Sequence, residues 1–265
     1  MKILTLDAQE GGNIELPAQF EETVRPDLIK RAYLAEMSSE RQPYGSFIEA
    51  GKRASAKLSR RRRNYRGAYG LGISRVPRKI MSRSGTRFSW VGAVAPHMRG
   101  GRPAHPPKAE KIIPQKINKR ELSKAIRSAI AATVSKEVVE THATIPSEYP
   151  FIIDSKIENI KKTSEVKAFL IKIGLTEELQ RSSRKNVRAG RGKMRGRKYK
   201  RAKGPLIVVS KNCPLTDAAK NIAGVDVADV KALTIRLLSP GAVPGRVTLW
   251  SSDALAIMDK ERLYQ

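Results

Sequence analysis

Residues 51–108 contain sixteen lysines and arginines and no aspartate or glutamate. Glycines, prolines and serines are scattered through this stretch in place of a continuous apolar pattern. Such a chain repels itself and cannot bury enough apolar surface to offset the entropy that it loses on folding. We therefore expect this stretch, the first cationic segment, to lack a stable fold of its own and to order against a polyanion.

A second basic run covers residues 179–216, with thirteen lysines and arginines and again no acidic residue. All but one of these bases lie in residues 179–204, which we call the second cationic segment. The rest of the chain holds twenty-three basic and twenty-five acidic residues, so the net charge of +27 resides in the two runs. A nearly neutral globular part therefore carries two cationic segments.

The scarcity of metal-ligating and disulfide-forming residues excludes several classes of protein. Cys213 is the one cysteine, which rules out an intramolecular disulfide framework and favours a reducing, intracellular compartment. Three scattered histidines do not predict a zinc site, and we expect no metal. The chain shows no apolar stretch of about 18 to 20 residues and no signal sequence, so we expect no membrane association.

The remaining sequence predicts alternating strands and helices after an N-terminal hairpin that turns at Gly11 and Gly12. Predicted strands cover residues 151–154, 206–209, 233–238 and 247–250. Predicted helices cover residues 26–35, 118–133 (capped by Asn118 and Glu121), 166–173, 215–223 and 253–262. Because right-handed crossovers place helices on both faces of a parallel sheet, we predict an α/β fold. It would be a three-layer body with a mostly parallel central sheet flanked by helices, plus a long basic internal loop.

Both cationic segments predict a nucleic-acid interface, because arginine and lysine neutralise phosphates and release condensed counterions. In the first segment the candidate RNA-binding residues are Lys52, Arg53, Lys57, Arg60, Arg61, Arg62, Arg63, Arg66, Arg75, Arg78, Lys79, Arg83, Arg87, Arg99, Arg102 and His105. In the second they are Arg184, Lys185, Arg188, Arg191, Lys193, Arg195, Arg197, Lys198, Tyr199, Lys200 and Arg201.

Four aromatic residues are interleaved with the arginines of the first segment: Tyr65, Tyr69, Phe88 and Trp90. Such a mixture suits stacking on unpaired bases as well as contact with phosphates, which favours irregular RNA over duplex DNA. The alternative is that these rings pack on one another as a small loop cluster.

Signals for an enzyme are weak. Gly70-Leu-Gly72 and Gly190-Arg-Gly192 lack the third glycine of a dinucleotide-binding loop, so we expect no cofactor. Cys213 has no evident histidine partner, and we predict no catalytic residue. Two alternatives stay open at this point: an RNA-modifying or RNA-processing enzyme with basic substrate-binding arms, and a chromatin-like architectural protein.

Five segments occur in the order found in one protein family: Arg41-Gln-Pro-Tyr-Gly45, Arg75-Val-Pro-Arg78, Gly101-Arg-Pro-Ala-His-Pro-Pro107, Gly196-Arg-Lys-Tyr199 and Ser239-Pro-Gly-Ala-Val-Pro-Gly-Arg246. By these segments the chain resembles the family of the fourth protein of the large ribosomal subunit, in its archaeal type. It departs from the family pattern at residues 59–64, which are more basic, and at Val243, where histidine or alanine is expected.

The resemblance implies a non-enzymatic, structural constituent of the large ribosomal subunit. It implies a globular α/β domain at residues 1–44 and 109–265, and an rRNA-binding loop at 45–108 whose tip, near 75–87, lines part of the nascent-peptide exit tunnel. Residues 179–204 would form a second rRNA contact, and the protein would support subunit assembly. Expected partners are large-subunit rRNA, neighbouring ribosomal proteins and the nascent peptide. The absence of a long eukaryotic-type tail after Gln265 favours an archaeal cytoplasm.

Overall fold

The computed structural model describes residues 1–264, which form two compact units. One unit comprises residues 1–40 and 114–264, and the other comprises Arg41–Ile113, which includes the first cationic segment. The strands are β1 (Lys2–Leu4), β2 (Glu10–Asn13), β3 (Arg78–Ser84), β4 (Arg87–Gly92), β5 (Ile152–Ile153), β6 (Asn186–Val187), β7 (Tyr199–Lys200), β8 (Leu206–Val209), β9 (Asp226–Asp229) and β10 (Thr248–Ser251). The α-helices are α1 (Pro26–Ser39), α2 (Lys119–Val134), α3 (Lys136–Glu140), α4 (Thr163–Lys172), α5 (Thr176–Ser183), α6 (Pro214–Ala219), α7 (Ile235–Leu238) and α8 (Ser252–Lys260).

A central sheet organises the first unit, with strand order β2-β1-β5-β10-β8-β9 within the described residues. The β1–β2 pair is antiparallel and every other pair is parallel. Successive side chains of a strand point to opposite faces, and here both faces are covered. The predicted α/β fold with a mostly parallel central sheet and flanking helices is confirmed.

Each face of the sheet packs against its own set of helices. On one face Ile153, Ile207 and Leu249 join a core built with α4, α5 and α6. On the other face Ile152 and Trp250 join a core built with α1, α2, α7 and α8. Because β8 reads Leu-Ile-Val-Val and all four residues are buried, it has the continuous apolar pattern of a central parallel strand.

The predicted strand at residues 233–238 is wrong, because this stretch contains the helix α7. The strand lies earlier in the chain, at β9, where it pairs with β8 at the edge of the sheet. β9 reads Asp-Val-Ala-Asp and lacks the β-branched run that marks a buried strand. The apolar run at 233–238 is too short for periodicity to distinguish a helix from a strand.

Two local predictions near helix and strand ends also need correction. The N-terminal hairpin exists, but its turn lies at residues 5–9, and Gly11 and Gly12 are inside β2 beside a register shift. Asn118 precedes α2 as predicted, yet its side chain makes no capping hydrogen bond within residues 1–264. Its expected partner Glu121 instead pairs with Arg31, at 2.7 Å, and so links α2 to α1.

The second unit contains an antiparallel hairpin, β3–β4, which the composition did not predict. A two-residue loop of Gly85 and Thr86 joins the strands, and Gly85 has φ +58°. A positive φ at the first loop position is typical of a tight hairpin turn. The backbone of Lys57 pairs with that of Arg78 on the outer side of β3, at 3.3 and 3.5 Å.

Candidate nucleic-acid interface

Three of the four aromatic candidates contact one another in the second unit. Tyr65 meets Phe88 edge to face, with ring centroids 5.3 Å apart, and Phe88 meets Trp90 at 5.4 Å. Phe88 and Trp90 are alternate residues of β4 and therefore project from the same face of the hairpin. These three rings therefore pack on one another as a small cluster, which is the arrangement that the alternative to base stacking predicts. The ring of Tyr69 pairs instead with a guanidinium, that of Arg75, at 4.9 Å.

Guanidinium groups lie over these rings. Arg83 is 5.5 Å from the ring centroid of Tyr65, and Arg66 is 5.6 Å from it. Arg78 is 5.8 Å from the centroid of Trp90. Cation–π attraction at these distances orients arginines without neutralising their charge. The arginines therefore remain available to bind anions.

The aromatic cluster borders a cavity of about 370 Å³. Its lining combines rings, guanidinium groups and small polar residues: Arg61, Arg63, Asn64, Tyr65, Arg66, Gly67, Tyr69, Leu71, Thr86, Phe88 and Trp90. We call this the aromatic cavity. All four predicted stacking residues and three of the predicted cations line it. The other four lining residues, Asn64, Gly67, Leu71 and Thr86, were not among the predicted site residues.

Within the second unit, the candidate Arg102 lies where the chain at Gly51 crosses close to the chain at Gly101. A side chain at Gly51 would approach the backbone of Gly101 and Arg102 to 2.5 Å, and Gly51 has φ +73°. Arg102 is half-buried there, and its amide donates to the carbonyl of Val94 at 3.0 Å. Only glycine allows these backbones to approach so closely.

Most candidate cations have no acidic neighbour. Within residues 1–264, Arg53 is the only RNA-binding candidate that forms an ion pair, with Glu49 at 3.7 Å. By contrast, basic residues of the first unit are paired at several places, for example Arg127 with Glu22 at 2.9 Å. The candidates are exposed except for four that are half-buried: Arg66, Arg78, Arg102 and Arg188. A set of exposed and unneutralised cations attracts a polyanion.

The second cationic segment begins in α5 and continues as a small hairpin, β6–β7, which closes through a 3₁₀ turn at Arg191–Arg195. Gly190 and Gly196 bracket that turn with φ of +75° and +76°. The backbone amide of Arg188 donates to the carbonyl of Lys198 at 2.8 Å. The ring of Tyr199 has two ammonium groups near it, those of Lys185 at 5.7 Å and Lys198 at 5.5 Å from its centroid.

An ionic cluster holds the two ends of this segment, and the sequence did not predict it. Arg181, at the start, donates to the buried Glu178 at 2.6 and 2.7 Å and to the backbone carbonyl of Lys203 at 2.6 Å. Lys203, at the end, donates to Asp226 at 2.9 and 3.0 Å. Asp226 also accepts from Arg246 at 2.6 Å. The C-terminal end of the second cationic segment is thereby fixed to Asp226 in β9 and to Arg246, which precedes β10, and Arg181 links the start of the segment to that end.

The pKa values of this cluster follow from burial and pairing. Burial alone would raise the pKa of Asp226, but the hydrogen bonds from Lys203 and the charge of Arg246 lower it below its ordinary value. Burial lowers the pKa of Arg246, although its ordinary value is so high that the guanidinium stays protonated. The hydrogen bond to Glu178 raises the pKa of Arg181.

No group of three or more histidine, cysteine, aspartate or glutamate side chains in residues 1–264 is placed to hold a metal ion. Among the helices of the described chain, none has the length and apolar character needed to cross a membrane.

Comparison with known proteins gives a consistent result over almost the whole chain. The sequence model of the Ribosomal protein L4/L1 family matches residues 14–261. The large ribosomal subunit protein uL4 of Nanoarchaeum equitans is 47% identical over 264 residues, which cover 99% of this chain and 98% of that protein. The uL4 proteins of Methanocaldococcus jannaschii and Archaeoglobus fulgidus are each 42% identical, over 264 and 256 residues, and at least 96% of every chain is covered.

Proposed function

Since the chain belongs to the ribosomal protein L4/L1 family, we infer that it is a structural component of the large ribosomal subunit and not an enzyme. Near-complete coverage of both chains in the alignments supports an assignment along the length of this chain, not of one shared domain. This assignment displaces the RNA-modifying enzyme and the chromatin-like protein as alternatives.

We propose that both cationic segments bind large-subunit rRNA. The observation that carries this proposal is the lack of acidic partners: Arg53 alone among the candidate cations forms an ion pair within the described residues. On the surface of a folded protein that does not bind a polyanion, exposed arginines and lysines are usually interspersed with aspartates and glutamates. The ionic cluster around Asp226 further supports binding by the second segment, because it fixes the segment's ends and reduces the entropy lost on binding.

The loop at residues 45–108, which contains the first cationic segment, has a more specific proposed role. Residues 45–108 are an rRNA-binding insertion in the globular domain, which consists of residues 1–44 and 109–265. Its tip near residues 75–87 lines part of the nascent-peptide exit tunnel and contacts the nascent peptide. The resemblance at residues 75–78 and 101–107 supports this role, as does the exposure of Arg75, Arg83 and Arg87. By ordering rRNA around both segments, the protein supports assembly beside neighbouring ribosomal proteins in the cytoplasm.

The test is co-sedimentation. A lysate of the source cells is separated on a sucrose gradient at high magnesium, and this chain is quantified by mass spectrometry against other large-subunit proteins. We expect it to follow large subunits in a near one-to-one amount and to remain after a moderate salt wash. A substoichiometric or salt-released signal would instead indicate a transient assembly factor.

Crosslinking within the subunit then tests the loop. Peptides containing residues 75–87 should crosslink to rRNA, and in stalled ribosomes also to the nascent chain. Crosslinks of this tip to solvent-side components alone would contradict the tunnel proposal while leaving the ribosomal assignment intact.

A further inference from the structure

We propose that the aromatic cavity binds a single unpaired nucleobase of rRNA, an inference that rests on the rRNA binding proposed above. The cavity volume of about 370 Å³ is adequate for this ligand. A protein cavity of about 150 Å³ already accommodates a benzene ring. A purine with part of its ribose therefore fits.

The spacing of the rings decides how a base would lie. To sandwich a base, two rings must be about 7 Å apart, twice the optimal separation of two carbon atoms. The ring centroids of Tyr65 and Phe88 are only 5.3 Å apart, and those of Phe88 and Trp90 are only 5.4 Å apart. A base cannot enter between them, so it must lie against a ring face that borders the cavity.

Exposure divides the four aromatic residues into two roles. Tyr65 and Tyr69 are 54% and 41% exposed, whereas Phe88 and Trp90 are half-buried against their neighbours. We therefore assign the stacking surface to the parts of the Tyr65 and Tyr69 rings that the guanidinium groups of Arg66, Arg83 and Arg75 leave exposed. Phe88, which contacts Tyr65, and Trp90, which contacts Phe88, act as supporting residues.

The polar groups of the cavity favour a nucleotide. Arg61, Arg63 and Arg66 line it, and Nε of Arg66 is buried without a hydrogen-bond partner within residues 1–264. The side-chain oxygen of Asn64 accepts from the amide of Tyr65 at 2.9 Å, which leaves its amide nitrogen as a donor. The rim thus offers donors and positive charge, which suit base acceptors and a phosphate. One nucleotide satisfies both the rings and the cations, whereas a peptide would need an acidic and a planar residue together.

The backbone of the rim is held in an uncommon conformation. Arg63 and Arg66 have φ of +53° and +60°, which residues with a side chain seldom adopt. The turn is fixed by the hydrogen bonds from Gly67 to Asn64 and from Ser59 to Arg66, both 3.0 Å. A side chain at Gly67 would approach the Asn64 carbonyl oxygen to 2.9 Å. These constraints set the arginines around the cavity before any ligand arrives.

The experiment measures binding of the full-length chain to transcribed archaeal large-subunit rRNA over a range of salt concentrations. Tyr65→Leu and Tyr69→Leu should each weaken binding about fivefold or more, the effect of losing one base stack. The salt dependence should not change, because no charge is removed. Tyr65→Phe and Tyr69→Phe keep the ring and should bind like the unmodified chain, which separates stacking from misfolding. Tyr44→Leu makes the same change at an exposed tyrosine of this unit that does not line the cavity, and it should have no effect.

Short-wavelength ultraviolet crosslinking of the complex supplies a direct readout. We expect a nucleotide adduct on Tyr65 or Tyr69. Unchanged binding by both leucine variants, or equal losses with Tyr44→Leu, would overturn the cavity proposal while rRNA binding stands. A protein crosslink in place of the nucleotide adduct in intact subunits would also overturn it. Failure of the unmodified chain to prefer rRNA over duplex DNA would instead refute the proposed function.

Discussion

Arg246 donates a 2.6 Å hydrogen bond from Nη2 to Oδ2 of Asp226, and the Arg246 side chain is almost completely removed from solvent. Its other nitrogens donate to the carbonyls of Gly204 at 2.7 Å and Leu237 at 2.8 Å. One guanidinium thereby joins β9, the chain that enters β8, and α7. Asp226 also binds Lys203, at the end of the second cationic segment.

Replacing Asp226 with asparagine should destabilise the first unit strongly. The change leaves the buried charge of Arg246 without its carboxylate, and breaking a buried pair from one side costs about 3–5 kcal/mol. Urea denaturation followed by circular dichroism measures the free energy of unfolding. Asp259→Asn removes an exposed carboxylate near the end of α8 and should have little effect. Equal losses of unfolding free energy in the two variants would show that the Asp226–Arg246 ion pair is not the cause of the destabilisation.

The same pair predicts how stability depends on pH. The pKa of Asp226 lies below its ordinary value of 3.8, so its contribution is complete above that value and is lost as the pH falls through the lower native pKa. The difference in unfolding free energy between the unmodified chain and Asp226→Asn should therefore be constant from about pH 5 to 8. It should shrink only in more acidic solution. A difference that declines already near neutrality would contradict this assignment.

Glu158 is a buried carboxylate that connects two strand ends. Oε1 accepts from the amide of Ser210 at 2.8 Å and the hydroxyl of Ser251 at 2.6 Å, and Oε2 accepts from the Ser210 hydroxyl at 2.6 Å. Glu158→Ala leaves these donors unpaired and should cost about 3 kcal/mol or more. Glu158→Gln keeps the carbonyl oxygen and can donate to the Ser210 hydroxyl, so it should cost much less. Glu165→Ala, at an exposed position of α4, is the control. Equal effects of the alanine and glutamine changes would exclude hydrogen bonding as the cause.

Much of the fold was predictable because its strands and helices carry strong local patterns. β8 and α2 have continuous apolar and helical periodicity, and both were found where expected. β9 was missed because its pairing with β8, and not its own residues, makes it a strand. The predicted cap of α2 did not form: Asn118 makes no capping hydrogen bond within residues 1–264, and Glu121 pairs instead with Arg31, which is distant in sequence. In each failure, tertiary context overrode a weak local preference.

The interface was predictable in composition but not in arrangement. Counting charges identified the cationic segments, and aromatic residues among arginines suggested base stacking. The assignment of Tyr65 as a stacking residue and of Phe88 as its support depends on the β3–β4 register, which pairs Arg83 with Phe88. The Gly85–Thr86 loop between alternating apolar residues is the signal that would have revealed this hairpin. The ionic cluster at Asp226 joins residues that are far apart in sequence, so no local sequence motif predicts it.

Tyr149 makes the stability of the first unit sensitive to alkali. Its ring is buried, its hydroxyl donates to the carbonyl of Thr133, and burial raises its pKa above the ordinary value of 10.0. A raised pKa gives a contribution that is complete below the unfolded-state pKa and is lost as the pH rises beyond it. Urea midpoints should therefore fall above about pH 10. Tyr149→Phe should lose about 1 kcal/mol at neutral pH, the value of one hydrogen bond, and show a shallower alkaline decline. An unchanged alkaline decline would assign the effect to other groups.

The turn of the second cationic segment should contribute to the salt dependence of rRNA binding. Arg191, Arg195 and Arg197 are exposed and have no acidic partner within the described residues. Replacing all three with glutamine should lower the slope of log affinity against log salt by about 1 for each phosphate that is no longer neutralised. Filter binding to transcribed large-subunit rRNA at several salt concentrations measures this slope. The same variant should keep the unfolding free energy of the unmodified chain, because these side chains contribute nothing to the core.

A matched control separates binding at a defined surface from the effect of net charge. Lys161, Lys220 and Lys260 are exposed lysines of the same unit, outside both cationic segments, and each lacks an ion-pair partner in residues 1–264. Replacing these three with glutamine removes the same charge but should leave the slope nearly unchanged, since the slope counts phosphates that are neutralised at the interface. If both triple variants lowered the slope equally, the protein would attract rRNA through its overall charge. The hairpin held between Arg181 and Lys203 would then have no special part in binding.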